Sequence, residues 1–206
     1  MPLAAGHRLR GSRGFRQLGP RGVLPGLLPA LAADDERGAA LMGIDTDLYA
    51  QVCTLLAKEA LYLDEKNWDA WLELFAPDVE YFVPAWISED ALTTDPSTQL
   101  CLMHMDSRLG LEERVFRIRS RDSFASLPLD RTSHQTSNVL ITGLAGDEVE
   151  VSASWLVHCV GPRGDATRGG RYYYTLRRMA GELKIARKHI VMIDEKIEGT
   201  VDVYHI

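Results

Sequence analysis

Residues 171–193, RYYYTLRRMAGELKIARKHIVMI, decide the fold. Aromatic, β-branched and apolar side chains alternate with polar ones over 171–179 and again over 183–193. Between them Met179-Ala180-Gly181-Glu182 leaves room only for a tight turn. Period-two alternation on both sides of a glycine-bearing break predicts an antiparallel hairpin. Within it Tyr172-Tyr173-Tyr174 sends successive rings to opposite sheet faces, a pattern that fits packing and interface better than a ligand site.

Two more strand segments precede this hairpin, at 132–144 and 148–160. The breaks at 143–147 and 161–170 make all four consecutive antiparallel neighbours, with the glycine-rich run 161–170 reading as a mobile hairpin tip. Further upstream the period changes. Leu48, Val52, Leu55, Leu56, Glu59, Tyr62 and Leu63 keep helical spacing behind Asp45 or Thr46 as N-cap, and predict a helix of about four turns. After a short break at 64–67, Trp68, Trp71, Leu72 and Phe75 form a second amphipathic stretch that Pro77 should end. A strand is expected at 79–84 and another within 99–106. Leu111, Val115 and Ile118 point to a third helix, although 115–119 also alternates like a strand. Helices first and a long curved sheet afterwards make an α+β fold, with helices in the sheet's concavity and the other face free to meet a partner.

The chain has 206 residues, 46% of them hydrophobic and 25% charged, as in a soluble globular protein. Its net charge of −6 argues against nucleic acid as a partner, and no apolar run approaches a membrane span. Residues 1–41 are a different material. They hold six arginines, no lysine and three acids, which gives them +3 and leaves −9 to the other 165 residues. Rich in glycine and proline and without a period, they are expected to be disordered. We read them foremost as an extension upstream of a natural start near Met42, with a disordered tail or a targeting segment as alternatives, and 42–206 as one domain. Cys53, Cys101 and Cys159 are odd in number and far apart, as in a reducing cytoplasm.

Catalytic motifs are scarce. Cys101 and His104, and His158 beside Cys159, fall short of the paired ligands of a Rieske cluster, and the six histidines are never closer than sixteen residues. No phosphate cradle, nucleophile elbow or reactive-cysteine context occurs. One acid–base constellation is conceivable, His134 or His104 with Asp106 or Asp69, but a histidine near the start of a strand more often makes a structural hydrogen bond. Arg108, Arg114, Arg117, Arg119 and Arg121 are interspersed with Asp106, Glu112, Glu113 and Asp122, which reads as a salt-bridged solvent or subunit face.

Several ordered blocks carry a family resemblance. Tyr62-Leu63-Asp64-Glu65-Lys66-Asn67-Trp68-Asp69-Ala70-Trp71-Leu72 with Phe75-Ala76-Pro77-Asp78-Val79-Glu80-Tyr81 resembles the start of the small (beta) subunit of aromatic-ring-hydroxylating dioxygenases. The segment from Gly110 to Ile118, then Asp130-Arg131-Thr132-Ser133-His134, Ser137-Asn138-Val139 and Val201-Asp202-Val203-Tyr204-His205-Ile206 resemble its benzoate, toluate and anthranilate branch. The resemblance implies an NTF2-like (nuclear-transport-factor-2-like, cystatin-like) fold with a strongly curved antiparallel sheet. It implies no catalytic, cofactor or metal residue in this chain. The large alpha subunit would hold a Rieske 2Fe–2S cluster and mononuclear Fe(II), receive electrons from NADH through a reductase, and assemble with this chain as alpha3beta3, with beta–beta contacts open. The expected work is assembly, and the residues expected at subunit contacts are Arg114, Arg117, Arg119, Arg131, His134, Tyr204, His205 and Ile206. A stand-alone dehydratase or isomerase, or a small-ligand binding protein in the same fold, remains the alternative.

Overall fold

Asp45 opens the first helix by accepting, at Oδ1, the Asp47 backbone N–H (2.9 Å), which satisfies a donor the helix cannot. The computed structural model describes residues 45–120, 127–162, 164–194, 196–197 and 199–206, so the boundary expected at Met42 lies outside the described residues. Helix α1, Thr46–Asp64, buries Val52, Leu55, Leu56, Glu59 and Leu63 along the predicted stripe. It stops where Lys66 turns left-handed at φ 58°. Asn67 N–H then reaches the Tyr62 carbonyl (2.8 Å) and Lys66 N–H the Leu63 carbonyl (3.2 Å), a Schellman closure. A side chain in that conformation costs about 1 kcal/mol relative to glycine, so something must hold Lys66 there.

Helix α2, Trp68–Leu72, is shorter than the sequence predicts. Phe75 begins strand β1, Phe75–Pro84, and Pro77 lies inside that strand. Tertiary pairing is the reason: Ile185 N–H donates to the Leu74 carbonyl (2.9 Å) and captures the chain before the helix can continue. Proline's missing donor is tolerated because the ladder is interrupted between Phe75 and Glu80. Strand β2, Cys101–Met105, is followed by helix α3, Arg108–Ser120, whose buried Leu111, Val115 and Ile118 settle the 115–119 ambiguity as helix. Then come β3 (Arg131–Ala145), β4 (Glu148–Gly161), β5 (Gly164–Met179), β6 (Glu182–Met192) and a 3-10 turn at Val203–His205.

The strands form one sheet in the order β2-β1-β6-β5-β4-β3. Strands β3 to β6 are consecutive antiparallel neighbours, as their alternation predicts. Two features differ from expectation. The sheet is not wholly antiparallel, because β1 pairs β6 in parallel, with Phe75 opposite Ile185 and Glu80 opposite Arg187. And the glycine-rich run is mostly strand: β4 and β5 stay paired out to Gly161 opposite Gly164. Small residues hid this, since glycine contributes nothing to a hydrophobic pattern.

The inner face packs Trp68, Trp71, Phe75, Tyr81, Trp155, Tyr172 and Tyr174 beneath the helices, giving the α+β, NTF2-like arrangement. The outer face carries a cross-strand row of His104, Phe82, His189 and Tyr173. The two sheet edges differ. At β3, Asp64 Oδ2 of α1 accepts the His134 backbone N–H (3.0 Å) and the Tyr49 hydroxyl donates to the Val139 carbonyl (3.4 Å), so the helix caps the edge. No described strand pairs the outer side of β2.

The close approach of β5 to β6 gives a test. A Cβ at Gly170 would lie 1.9 Å from the Val191 carbonyl oxygen, whereas one at Gly143 would meet Glu150 at an ordinary 3.5 Å. Gly170→Ala is expected to lower unfolding free energy by about 3 kcal/mol and Gly143→Ala by less than about 0.5 kcal/mol, read from urea denaturation.

Candidate functional site

Three places gather chemistry-bearing side chains, and each follows from the elements that present it.

The first is the interior. Alternation on β6 turns Lys188 inward with Ile190, and the helical stripe of α1 turns Glu59 to meet it. Lys188 Nζ donates to Glu59 Oε1 at 2.7 Å, and the Tyr174 hydroxyl donates to Glu59 Oε2 at 2.8 Å. The ammonium sits 4.1 Å from the Tyr172 ring centre, 5.6 Å from that of Tyr174 and 5.7 Å from that of Tyr81. All five residues are buried. Burial pushes the Lys188 ammonium below the ordinary lysine range against the pull of Glu59. Burial, and then the Glu59 charge, push the phenols of Tyr81, Tyr172 and Tyr174 well above theirs. Trp155 stacks on Tyr172 with centres 5.3 Å apart and Trp71 meets Phe75 edge-on at 4.9 Å. This interior holds a paired charge among aromatic rings.

The second lies where α1 ends against β3. Asp64 Oδ1 accepts from the Thr132 hydroxyl (2.9 Å) and faces His134 Nδ1 (2.6 Å), while Lys66 Nζ donates to Thr132 Oγ1 (2.8 Å). Burial raises the Asp64 carboxyl, but the bonds from His134 and Thr132 outweigh it and hold it below the ordinary carboxylate range. Burial brings the Lys66 ammonium down to about 8. Its Nζ lies 5.1 Å from the Tyr204 ring centre, so the left-handed turn at Lys66 is held by the contacts of its own side chain. Next to it the C-terminal segment folds inward. His205 Nδ1 accepts the Asp202 N–H (3.1 Å), which leaves Nε2–H to donate to Asp130 Oδ2 (3.2 Å). Burial lowers the His205 imidazole to about 4, with Arg168 adding to the fall and Asp130 opposing it. A proton on Nδ1 would also break the bond to Asp202.

The third is a surface groove of 1390 Å³ between β2 and α3, reaching α2. The face of α3 opposite its buried stripe leaves Phe116 70% and Leu109 61% exposed, one heptad apart, and Leu102 of β2 is 40% exposed. Five carboxylates and three guanidiniums line the groove. Arg114 is drawn away to Asp202 (2.8 Å) and Arg119 is paired with Asp69 (2.8 Å).

Residues 58–199 match the family described as the ring hydroxylating beta subunit. The chain belongs to that family. This beta subunit is 33% identical over 163 residues to the benzoate 1,2-dioxygenase subunit beta of Acinetobacter baylyi, a match covering 79% of this chain and 96% of that one. It is 36% identical over 160 residues to the toluate 1,2-dioxygenase subunit beta of Pseudomonas putida, covering 77% and 98%. The crystal structure of the beta subunit of benzoate 1,2-dioxygenase from Burkholderia mallei superposes with a TM-score of 0.64 at 30% identity, covering 80% of this chain and 99% of that one.

The beta subunit places the residues singled out from sequence unevenly. His134 has a carboxylate partner, but it is Asp64: Asp69 is paired with Arg119, Asp106 lies in the groove, and His104 sits edge-on to Phe82 at 5.7 Å. None of the groove's lining belongs to the His134–Asp64 pair. Arg117 and Arg131 are exposed, Arg114 is half-buried on Asp202 and Arg119 is exposed on Asp69. Tyr204, His205 and Ile206 are buried among the beta subunit's own residues. Among the described residues the arginine group pairs with one of its expected acids, Glu112 with Arg108 (3.0 Å); Arg121 and Asp122 lie outside the described residues. Among the described residues no three His, Cys, Asp or Glu side chains converge as a metal-ligand set. The Glu59–Lys188 pair escaped the sequence reading, although an acid on an otherwise apolar helical stripe was its visible signal.

Two outcomes follow. Lys188→Met leaves Glu59 buried without its cation and is expected to cost about 3–5 kcal/mol in urea unfolding, while Glu59→Leu with Lys188→Met recovers more than half of that. The folded beta subunit protonates His205 only near pH 4, against 6.5 for an unperturbed histidine, so the unfolded chain binds more protons in between and stability falls as pH drops through that window. The fall attributable to His205 is up to about 3 kcal/mol. His205→Asn is expected to flatten stability against pH by that amount, measured by denaturation at stepped pH.

Proposed function

We propose that this chain is the small subunit of a Rieske non-haem iron dioxygenase that dihydroxylates an aromatic carboxylate of the benzoate or anthranilate kind, and that its part is mechanical. The observation that carries this is the family match over 58–199, joined to relatives of nearly full coverage that are subunits of benzoate and toluate 1,2-dioxygenases. In this reading an alpha subunit supplies the Rieske 2Fe–2S cluster, the mononuclear Fe(II) and the substrate pocket, with electrons drawn from NADH through a reductase. Three alpha and three beta subunits form the assembly in the cytoplasm. The beta subunit's own residues hold alpha subunits at a fixed spacing, so that one subunit's cluster lies near its neighbour's iron.

The interior supports this division of labour. A dehydratase or isomerase in the same fold would need a free base beneath the helices, whereas here the Glu59 carboxylate is engaged by both Lys188 and the Tyr174 hydroxyl. The exposed chemistry is at the groove and on the outer sheet face, where His104 is exposed and His189 and Tyr173 are half-buried, and where another chain can meet it. Arg117 and Arg131, exposed on α3 and at the start of β3, fit the contact role expected of them.

Co-expression with the alpha subunit is expected to give a complex with the mass of three of each chain, and oxygen uptake with benzoates only when both are present. Stoichiometric iron in the purified beta subunit alone, or arene conversion by it unaided, would overturn the reading.

A further inference from the structure

We infer that the open edge of β2, together with the exposed face of α3, takes an extended segment of the alpha subunit as an added strand. The inference rests on the assembly role proposed above. Strand β2 ends the sheet with no described strand on its outer side, while the opposite edge is capped by Asp64 and Tyr49 of α1. An unpaired strand edge presents a row of backbone donors and acceptors that a second extended chain satisfies, and side-chain pockets beside it give selectivity. Here the pocket is the 1390 Å³ groove. Gly110 binds its two walls closely, since a Cβ there would lie 2.9 Å from the Met105 side chain. Phe116, Leu109 and Leu102 offer apolar contact to alternate side chains of the added strand.

Charge identifies the kind of occupant. With Arg114 and Arg119 engaged by Asp202 and Asp69, and Glu112 by Arg108, the groove's remaining charges outside ion pairs include Asp106 and Glu113 against Arg117. A second copy of this chain would bring the same carboxylates face to face, within a protein of net charge −6. The occupant that fits is an extended segment with apolar residues at alternate positions and a lysine or arginine among the others.

The test uses the full chain with its alpha subunit. Phe116→Asp, on an exposed position, is expected to leave the thermal midpoint unchanged and to weaken the complex at least about tenfold. Glu113→Arg is expected to weaken it in the same direction, and Leu144→Asp, equally exposed at the end of β3, to leave it intact. In hydrogen exchange the backbone amides of Cys101–Met105 are expected to gain protection in the complex. A complex that forms with Phe116→Asp at unchanged affinity, or with those amides unprotected, overturns this inference and leaves the assembly role standing. So does self-association of the chain that Phe116→Asp abolishes, because the occupant is then a second copy. Failure of the unsubstituted chain to join alpha at all would sink both.

Discussion

The contact between Glu59 and Lys188 is the constraint on which the rest of the interior turns. It ties the middle of α1 to the middle of β6, across the space that the curved sheet encloses. Two charges out of water are tolerated only when each is almost fully engaged, and Tyr174 and the faces of three aromatic rings complete that engagement. Once they are in place, neighbouring positions are obliged to be apolar and large, which is why tryptophans and tyrosines crowd beneath the helices. The pair stabilises little by itself. It dictates which face of α1 looks inward and at what height along the sheet.

Around that anchor, the second network fixes the ends of elements. Asp64 closes α1, binds Thr132 and His134, and so sets where β3 begins. Lys66 turns left-handed to bring its side chain to Thr132, and Tyr204 packs beside it, so the C-terminal segment is held by the same cluster that ends the first helix. Arg114 joins α3 to this group through Asp202. These links connect residues more than sixty positions apart and give helices α1 and α3 one common reference.

What the sequence disclosed depended on how local the cause was. Helix α1 and the strands with regular alternation were legible because their residues alone carry the period. The extension of β5 through Gly164–Gly170 was not, since its small residues have no pattern and its pairing is enforced by β4. Phe75 and Pro77 carry the local pattern of a helix end, whereas a bond from Ile185, more than a hundred residues away, makes them strand. The parallel pairing of β1 with β6 left no trace in either segment. The carboxylate partner of His134 is Asp64, which in sequence lies in a break between helices, and neither Asp69 nor Asp106. The C-terminal Tyr204-His205-Ile206 is a distinctive ending in sequence, and only the folded chain shows its side chains buried.

The inequality of the two sheet margins has a bearing on how the chain behaves when it is abundant. Stacking of sheets into fibres requires that each molecule accept a neighbour on both sides. Among the described residues this one offers a single side, because the first helix lies along the other. Any edge-to-edge encounter between copies therefore stops at a pair, and growth has no second end from which to propagate.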